Sequence, residues 1–202
     1  MIEKQLLQTG ITKIAGVDEA GRGPCAGPLV IASVILKDPN SNLLSEIRDS
    51  KELTPAKREN LFDLVIAQAS AYSIIEISVD EIDSLGLHKC NIEGMRRAIG
   101  ALEIEPEYVL TDGYVIPGLV TPNLAVWKGD QVAISISAAS ILAKVYRDRI
   151  MIELDKKYPG YGLAGHKGYI TKAHTDAIRE LGVLPIHRKS FANIAEIINS
   201  KV

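Results

Sequence analysis

Ile14-Ala15-Gly16-Val17-Asp18-Glu19-Ala20-Gly21-Arg22-Gly23-Pro24 carries an apolar segment straight into two acids and a glycine-rich turn. Ile14 to Val17 reads as a strand. Acids are depleted in strands, so two of them at the end of a buried one need a reason. Taken alone, the pair is read more simply as a strand end that exposes its acids in a tight turn. Successive strand residues also point to opposite faces. Glu19 therefore shares a site with Asp18 only if the backbone twists at the glycines.

Working outward, Val- and Ile-rich runs predict further strands at Leu29 to Leu36, Tyr72 to Ile77, Tyr108 to Leu110 and Leu124 to Trp127. Thr54-Pro55 is a helix start, with Thr as N-cap and Pro at the first helical position. The helix that follows, Ala56 to Ser70, puts Leu61, Leu64, Val65 and Ala69 on one face. Further helices are predicted at Cys90 to Leu102, Ser135 to Lys157, Thr171 to Leu181 and Ser190 to Ser200. The first three strands come almost without helices and the later ones alternate with them, which predicts a mixed α/β sheet. Helices dominate after Asp130, so a C-terminal helical lobe is expected beside the sheet.

Two more acids leave strands at the same stage of the pattern. Asp112 ends the fourth strand and precedes Gly113; Asp130 follows Trp127-Lys128-Gly129 at the start of the long helix. Carboxyl ends of strands are where α/β sheets build sites, although Asp130 also reads as an ordinary N-cap. Acids from three elements gathered at one end would hold Mg²⁺ or Mn²⁺, hard ions that take oxygen ligands. Without cations such acids repel one another and their pKa values rise.

The bulk properties set bounds. The chain has 202 residues, 47% hydrophobic and 24% charged, enough for one domain with a proper core. Met1 to Lys13 contains Glu3 and Lys4 and no apolar core, which predicts no secretory signal. The longest uncharged apolar stretches, Cys25 to Leu36 and Val132 to Ala143, fall short of the roughly 20 residues of a membrane helix. Cys25 and Cys90 form no CxxC pair, so neither a disulfide framework nor a zinc site is expected, and the setting reads as cytoplasmic. The net charge is -2, yet Lys144 to Lys189 holds ten Lys or Arg against five Asp or Glu. That excess fits contact with phosphates or a plain solvated face.

With Ala26-Gly27-Pro28, Asp49-Ser50-Lys51-Glu52-Leu53, Asp112-Gly113, Lys128-Gly129-Asp130, Ala138-Ala139-Ser140-Ile141-Leu142-Ala143-Lys144-Val145, Arg147-Asp148, His166-Lys167-Gly168-Tyr169 and Ile186-His187-Arg188-Lys189-Ser190-Phe191 added to the opening motif, the chain resembles the type 2 ribonuclease H family, bacterial ribonuclease HII in particular. The match spreads over nearly the whole chain. It implies a ribonuclease H-like α/β fold: a central five-stranded mixed sheet flanked by helices, with residues 1–202 forming one catalytic domain. The C-terminal helical part, about 160–202, would complete the substrate-binding face. It implies Asp18, Glu19, Asp112 and Asp130 as catalytic and metal-binding acids, with two Mg²⁺ or Mn²⁺ ions on either side of the scissile phosphate. The substrates implied are RNA–DNA hybrids and duplex DNA with single embedded ribonucleotides, cut to 3′-hydroxyl and 5′-phosphate ends by a monomer active in DNA repair and RNA primer removal.

The same resemblance gives Gly21, Arg22 and Gly23 a second role. With no side chains at the glycines, the backbone approaches the sugar-phosphate chain closely and senses the 2′-hydroxyl. Tyr169 would stack on the deoxyribose that follows the ribonucleotide, or else be a buried tyrosine of the helical lobe. Lys51 would reach a phosphate near the metals. Ser140 reads as structural within small-residue helix packing. Lys144, Arg147 and Arg149 face the duplex or pair with Asp148 and Glu153, and His166, His174 and His187 contact phosphate or are structural. Two alternatives stand beside this one. A type 3 ribonuclease H usually carries an extra N-terminal substrate-binding domain, for which a motif beginning at Asp18 leaves no room. A non-catalytic nucleic-acid binder has no need of four acids. No clamp-binding peptide is evident after Phe191.

Overall fold

The computed structural model describes residues 2–52 and 54–200, with backbone only at 48–52 and 55. In chain order the elements are α1 (Ile2–Gln8), β1 (Ile14–Ala20), β2 (Leu29–Leu36), a 3-10 segment (Asn42–Glu52), α2 (Pro55–Gln68), β3 (Ala69–Ile77), α3 (Val79–Leu85), α4 (Leu87–Gly100), β4 (Tyr108–Asp112), β5 (Asn123–Val126), α5 (Gly129–Val132), α6 (Ile134–Lys157), α7 (Leu163–His166), α8 (Lys172–Leu181) and α9 (Ala192–Asn199). One mixed sheet has the strand order β3-β2-β1-β4-β5. β1 pairs antiparallel with β2, and β2 with β3, whereas β1, β4 and β5 run parallel. The carboxyl ends of those three strands therefore share one end of the sheet.

Both faces are covered. On one, Val30, Ala32 and Val34 of β2 meet Leu61 and Val65 of α2 and Ala138, Ala139 and Leu142 of α6. On the other, Ala15, Val17 and Val109 pack with Met95, Ala98 and Ile99 of α4. Small residues let α6 lie close to β1: a Cβ on Gly16 would stand 2.1 Å from the Ser135 carbonyl carbon. A third cluster, including Met151, Tyr161, Leu163, Ile178, Ile194 and Ile197, forms the helical lobe anticipated after Asp130. Among the described residues, no helix is long and apolar enough to cross a membrane.

The local signals account for most boundaries. Thr54 caps α2, its hydroxyl accepting from Lys57 N at 3.3 Å, and Pro55 opens the helix. The helix stops at Gln68, two residues earlier than its periodicity predicts, because Ala69 already pairs with Leu36 in the β2–β3 ladder. Helix α3 was not anticipated, although its sign is present: the Ser78 hydroxyl accepts from Glu81 N at 3.1 Å, as a Ser-x-x-Glu start allows. Helix α1 was not anticipated either. Its Glu3 is fully buried and accepts from both Ser135 N (3.0 Å) and Ser135 Oγ (2.9 Å). Ala133, the N-cap of α6, provides no side-chain cap. A carboxylate from the far end of the chain thus satisfies one α6 amide and the Ser135 hydroxyl, and faces the positive end of the helix dipole.

Candidate active site

Strand register sets the acids. Val17 pairs with Thr111, so the next residues along the two parallel strands are Asp18 and Asp112, on the face that α6 covers. Asp18 is buried; its Oδ1 accepts from Glu19 N at 2.7 Å, and Ser140 of α6 lies beside its side chain. Glu19 takes the opposite strand face, as alternation requires, and meets Asn91 of α4. No twist at the glycines is needed, because β1 continues through both acids to Ala20, pairing Glu19 with Ile31. Asp112 Oδ1 accepts from Gly129 N at 2.7 Å, tying β4 to the turn that carries the buried Asp130. Asp18, Glu19 and Asp112 line one cleft of about 380 Å³, together with Gly21, Arg22, Gly23, Lys144 and Tyr169. Asp130 is not part of that lining and is joined to it through Gly129.

Electrostatically the cleft is primed for cations. Burial, then the charges of Glu19 and Asp112, hold the Asp18 carboxyl well above the usual carboxylate range. Burial raises Glu19 to about 7, with Asp112 adding to the rise and Arg22 opposing it. Glu19 Oε2 is buried with no hydrogen-bond partner. Among the described residues no group of three His, Cys, Asp or Glu side chains encloses an ion unaided. Mg²⁺ is ordinarily held by one or two carboxylates, waters and substrate phosphate oxygens rather than by an all-protein cage. Buried carboxylates facing an open cleft fit an ion of that kind.

The turn after the acids is fastened from behind by two buried guanidiniums. Arg147 donates to the carbonyls of Pro28 (3.0 Å), Ala26 (2.9 Å) and Lys167 (3.0 Å). Arg188 donates to Gly27 O (2.9 and 3.1 Å) and Arg22 O (3.3 Å). Burial lowers each to about 10, still cationic at neutral pH. Gly21 has φ +101°, and a Cβ there would stand 2.2 Å from Arg147 Nε. A Cβ on Gly23 would stand 3.3 Å from the Tyr169 ring. Gly21 thus leaves room for Arg147 behind the turn, and Gly23 for the tyrosine in front of it. Arg22 lies over the Tyr114 ring at 4.6 Å, donates to its hydroxyl, and stands 3.7 Å from Glu19.

The model of the family described as Ribonuclease HII matches residues 15–194. The chain belongs to the ribonuclease HII family. A relative from Salinispora tropica, "Ribonuclease HII", is 54% identical over 196 residues, covering 97% of this chain and 73% of its own. The solved ribonuclease H2 of Pyrococcus horikoshii aligns with TM-score 0.84 and 32% identity over 93% of this chain and 98% of that one. Bst-RNase HIII, solved in complex with Mn²⁺, shares the fold at TM-score 0.72 and 18% identity, over 96% of this chain and 71% of its own. The protein is therefore a ribonuclease H, with a ribonuclease H-like fold.

Within this ribonuclease HII scaffold the remaining motif residues find their places. Lys144 pairs with Asp148 at 2.7 Å, while Arg149 pairs with Glu59 and stacks on Phe62, not on the acids of its own helix. Arg147 is a brace. Tyr169 is 49% exposed, not buried in the lobe. His174 and His187 are fully buried. Cys25 and Cys90 are free and buried. The Lys51 side chain lies outside the described residues. Asn91, Tyr114 and Arg188 escaped the sequence reading as site residues. Asn91 did leave a sign, as a fully buried amide among Cys90, Gly94, Met95 and Ala98 on the apolar face of α4.

Proposed function

We propose that this enzyme hydrolyses the RNA strand of RNA–DNA hybrids and nicks 5′ to single ribonucleotides embedded in duplex DNA, leaving 3′-hydroxyl and 5′-phosphate ends. The observation that carries the proposal is the juxtaposition, in one cleft, of three carboxylates with the Gly21–Gly23 backbone and the Tyr169 ring. Asp18, Glu19 and Asp112, with Asp130 behind Asp112, would hold two divalent ions, Mg²⁺ or Mn²⁺. When bound, such ions lower the pKa of an attacking water and neutralise charge on the leaving oxygen.

The chain's own residues supply recognition. The Gly21–Gly23 backbone meets the ribose and bonds its 2′-hydroxyl, which distinguishes RNA from DNA. Tyr169, seated in front of Gly23, stacks on the deoxyribose that follows. It comes from the helical part at about 160–202, which in this reading completes the substrate-binding face. Arg22 and Lys51 contact phosphates. These activities suit removal of ribonucleotides from DNA and of RNA primers.

The test is a duplex with one ribonucleotide and mapped product ends. Cutting 5′ to that ribonucleotide is expected, and exclusive cutting elsewhere refutes the assignment. Asp112→Asn is expected to keep duplex binding and lose cleavage. A chelator is expected to abolish turnover until Mg²⁺ or Mn²⁺ is restored; full turnover in chelator contradicts the metal assignment.

A further inference from the structure

The Tyr169 ring is about half exposed, so burial cannot fix where it stands. Its backbone, by contrast, is held at every carbonyl. Lys167 O accepts from Arg147 Nη1 (3.0 Å), Gly168 O from Cys25 N (3.0 Å), and Tyr169 O from Thr171 N (3.0 Å) and His174 Nδ1 (2.9 Å). Lys167 is held at φ +53° and Gly168 at φ +80°, and a Cβ on Gly168 would stand 2.5 Å from Ala26 O. This is a segment over-determined by its surroundings, which is how strained conformations persist at functional sites.

Behind it, the imidazole bonds run in one direction only. Leu184 N donates to His187 Nδ1 at 2.8 Å, so that nitrogen carries a lone pair and the ring proton sits on Nε2. His187 Nε2 lies 3.2 Å from His174 Nε2, which must then accept. The remaining proton of His174 is on Nδ1, aimed at Tyr169 O. The third ring, His166, stacks on His174 with centroids 4.2 Å apart. Its Nδ1 accepts from Gly168 N (3.2 Å), which leaves Nε2 to donate to Tyr161 O (2.8 Å). Every ring nitrogen is engaged: backbone amides set the tautomers of His187 and His166, and His187 in turn sets that of His174.

We propose that His174 and His187 are positioning residues: their Leu184-to-Tyr169 chain of hydrogen bonds sets the Tyr169 ring over Gly23 and so governs the demand for a deoxyribose after the cut. The proposal deepens the sugar-stacking role given to Tyr169 above and rests on it. Neither imidazole touches substrate. Burial agrees with this arrangement: it lowers the pKa of both rings, His187 to about 4, so both stay neutral at working pH.

The experiment compares two substrates, one with deoxyribose and one with ribose immediately 3′ of the scissile ribonucleotide. For His174→Leu the preference for deoxyribose is expected to fall roughly 10- to 100-fold, the scale of a small misplacement of a binding group, with KM rising more than kcat falls. His174→Asn, whose amide places a donor near the lost Nδ1–H, is expected to recover most of it. Tyr169→Ala separates the two layers. If it leaves the preference intact, the role of Tyr169 fails and this proposal with it. If it removes the preference while a folded His174→Leu keeps it, the imidazole chain alone is refuted. Nitrogen-15 spectra of the intact protein keep the idea testable even if the variants do not fold. They should show His187 protonated at Nε2 and His174 at Nδ1, and the reverse tautomers overturn the proposal.

Discussion

Glu19→Gln is expected to raise the melting temperature of the metal-free enzyme by roughly 6 to 12 °C at pH 8 while reducing cleavage by at least about 10²–10³-fold, the loss typical of one preorganised electrostatic group. The Glu19 carboxyl titrates at about 7 in the fold against 4.5 in its ordinary state, chiefly because it is buried. That difference corresponds to about 3 kcal/mol. Below pH 4.5 the group is neutral in folded and unfolded chains alike, and its ionisation costs the fold nothing. Between 4.5 and about 7 the unfolded chain ionises first, so stability is lost as pH rises, and above about 7 the loss is complete. Glutamine keeps the shape and removes the charge. The gain should therefore vanish at pH 4.5 and be full at pH 8, in melting curves recorded with chelator. Equal melting of the two proteins at pH 8 would show that the ionised Glu19 carboxylate carries no burial penalty in the fold. Adding divalent ion to the native enzyme should offset the same penalty, so a larger ion-induced melting shift is expected for Glu19 than for Gln.

Gly16→Ala is the most damaging single methyl group expected in the sheet. Three backbone atoms of α6, Ser135 C, Ser135 O and Ile136 N, would stand 2.1 to 2.4 Å from the new Cβ. Overpacking commonly costs about 1–3 kcal/mol, and here no side chain can rotate away, so a loss at or above the top of that range is expected. Moving α6 outward would also draw Ser140 from Asp18 and Ser135 from Glu3, so residual activity should fall more steeply than stability. A denaturant titration checks this; an unchanged midpoint would contradict so close an approach of α6 to β1.

Asp18, Glu19 and Asp112 stand out in the sequence because they break a local rule, ending strands of mostly apolar residues. What surrounds them does not. Asn91 reaches Glu19 from a helix over 70 positions away in sequence, Glu3 caps a helix that begins at Ile134, and Arg147 holds the carbonyl of Pro28. None of these pairings leaves a periodicity in the chain; each exists only once the sheet has brought the segments together. The basic stretch from Lys144 to Lys189 is the clearest case. As sequence it fits a phosphate-facing surface, yet Arg147 and Arg188 turn inward, and Lys144, Lys156 and Lys172 pair with Asp148, Glu153 and Asp176. Boundaries moved for a similar reason: Ala69 leaves its helix because β2 offers a ladder. The unanticipated α3 differs, since Ser78 and Glu81 announced it locally.

The two inward guanidiniums also change what the turn presents to a polyanion. A peptide group is planar and trans, so a carbonyl drawn toward a cation points its following N–H the other way. With Arg22 O turned to Arg188, the Gly23 amide hydrogen is directed away from that cation, and the polarity of the charge is passed on through the peptide bond. Unlike surface lysines, whose reach and pairing shift with salt, this polarisation is built into the main chain and is screened much less by ions in solution. A strand of phosphates would thus meet a positive edge that can neither swing aside nor be neutralised by a neighbouring acid.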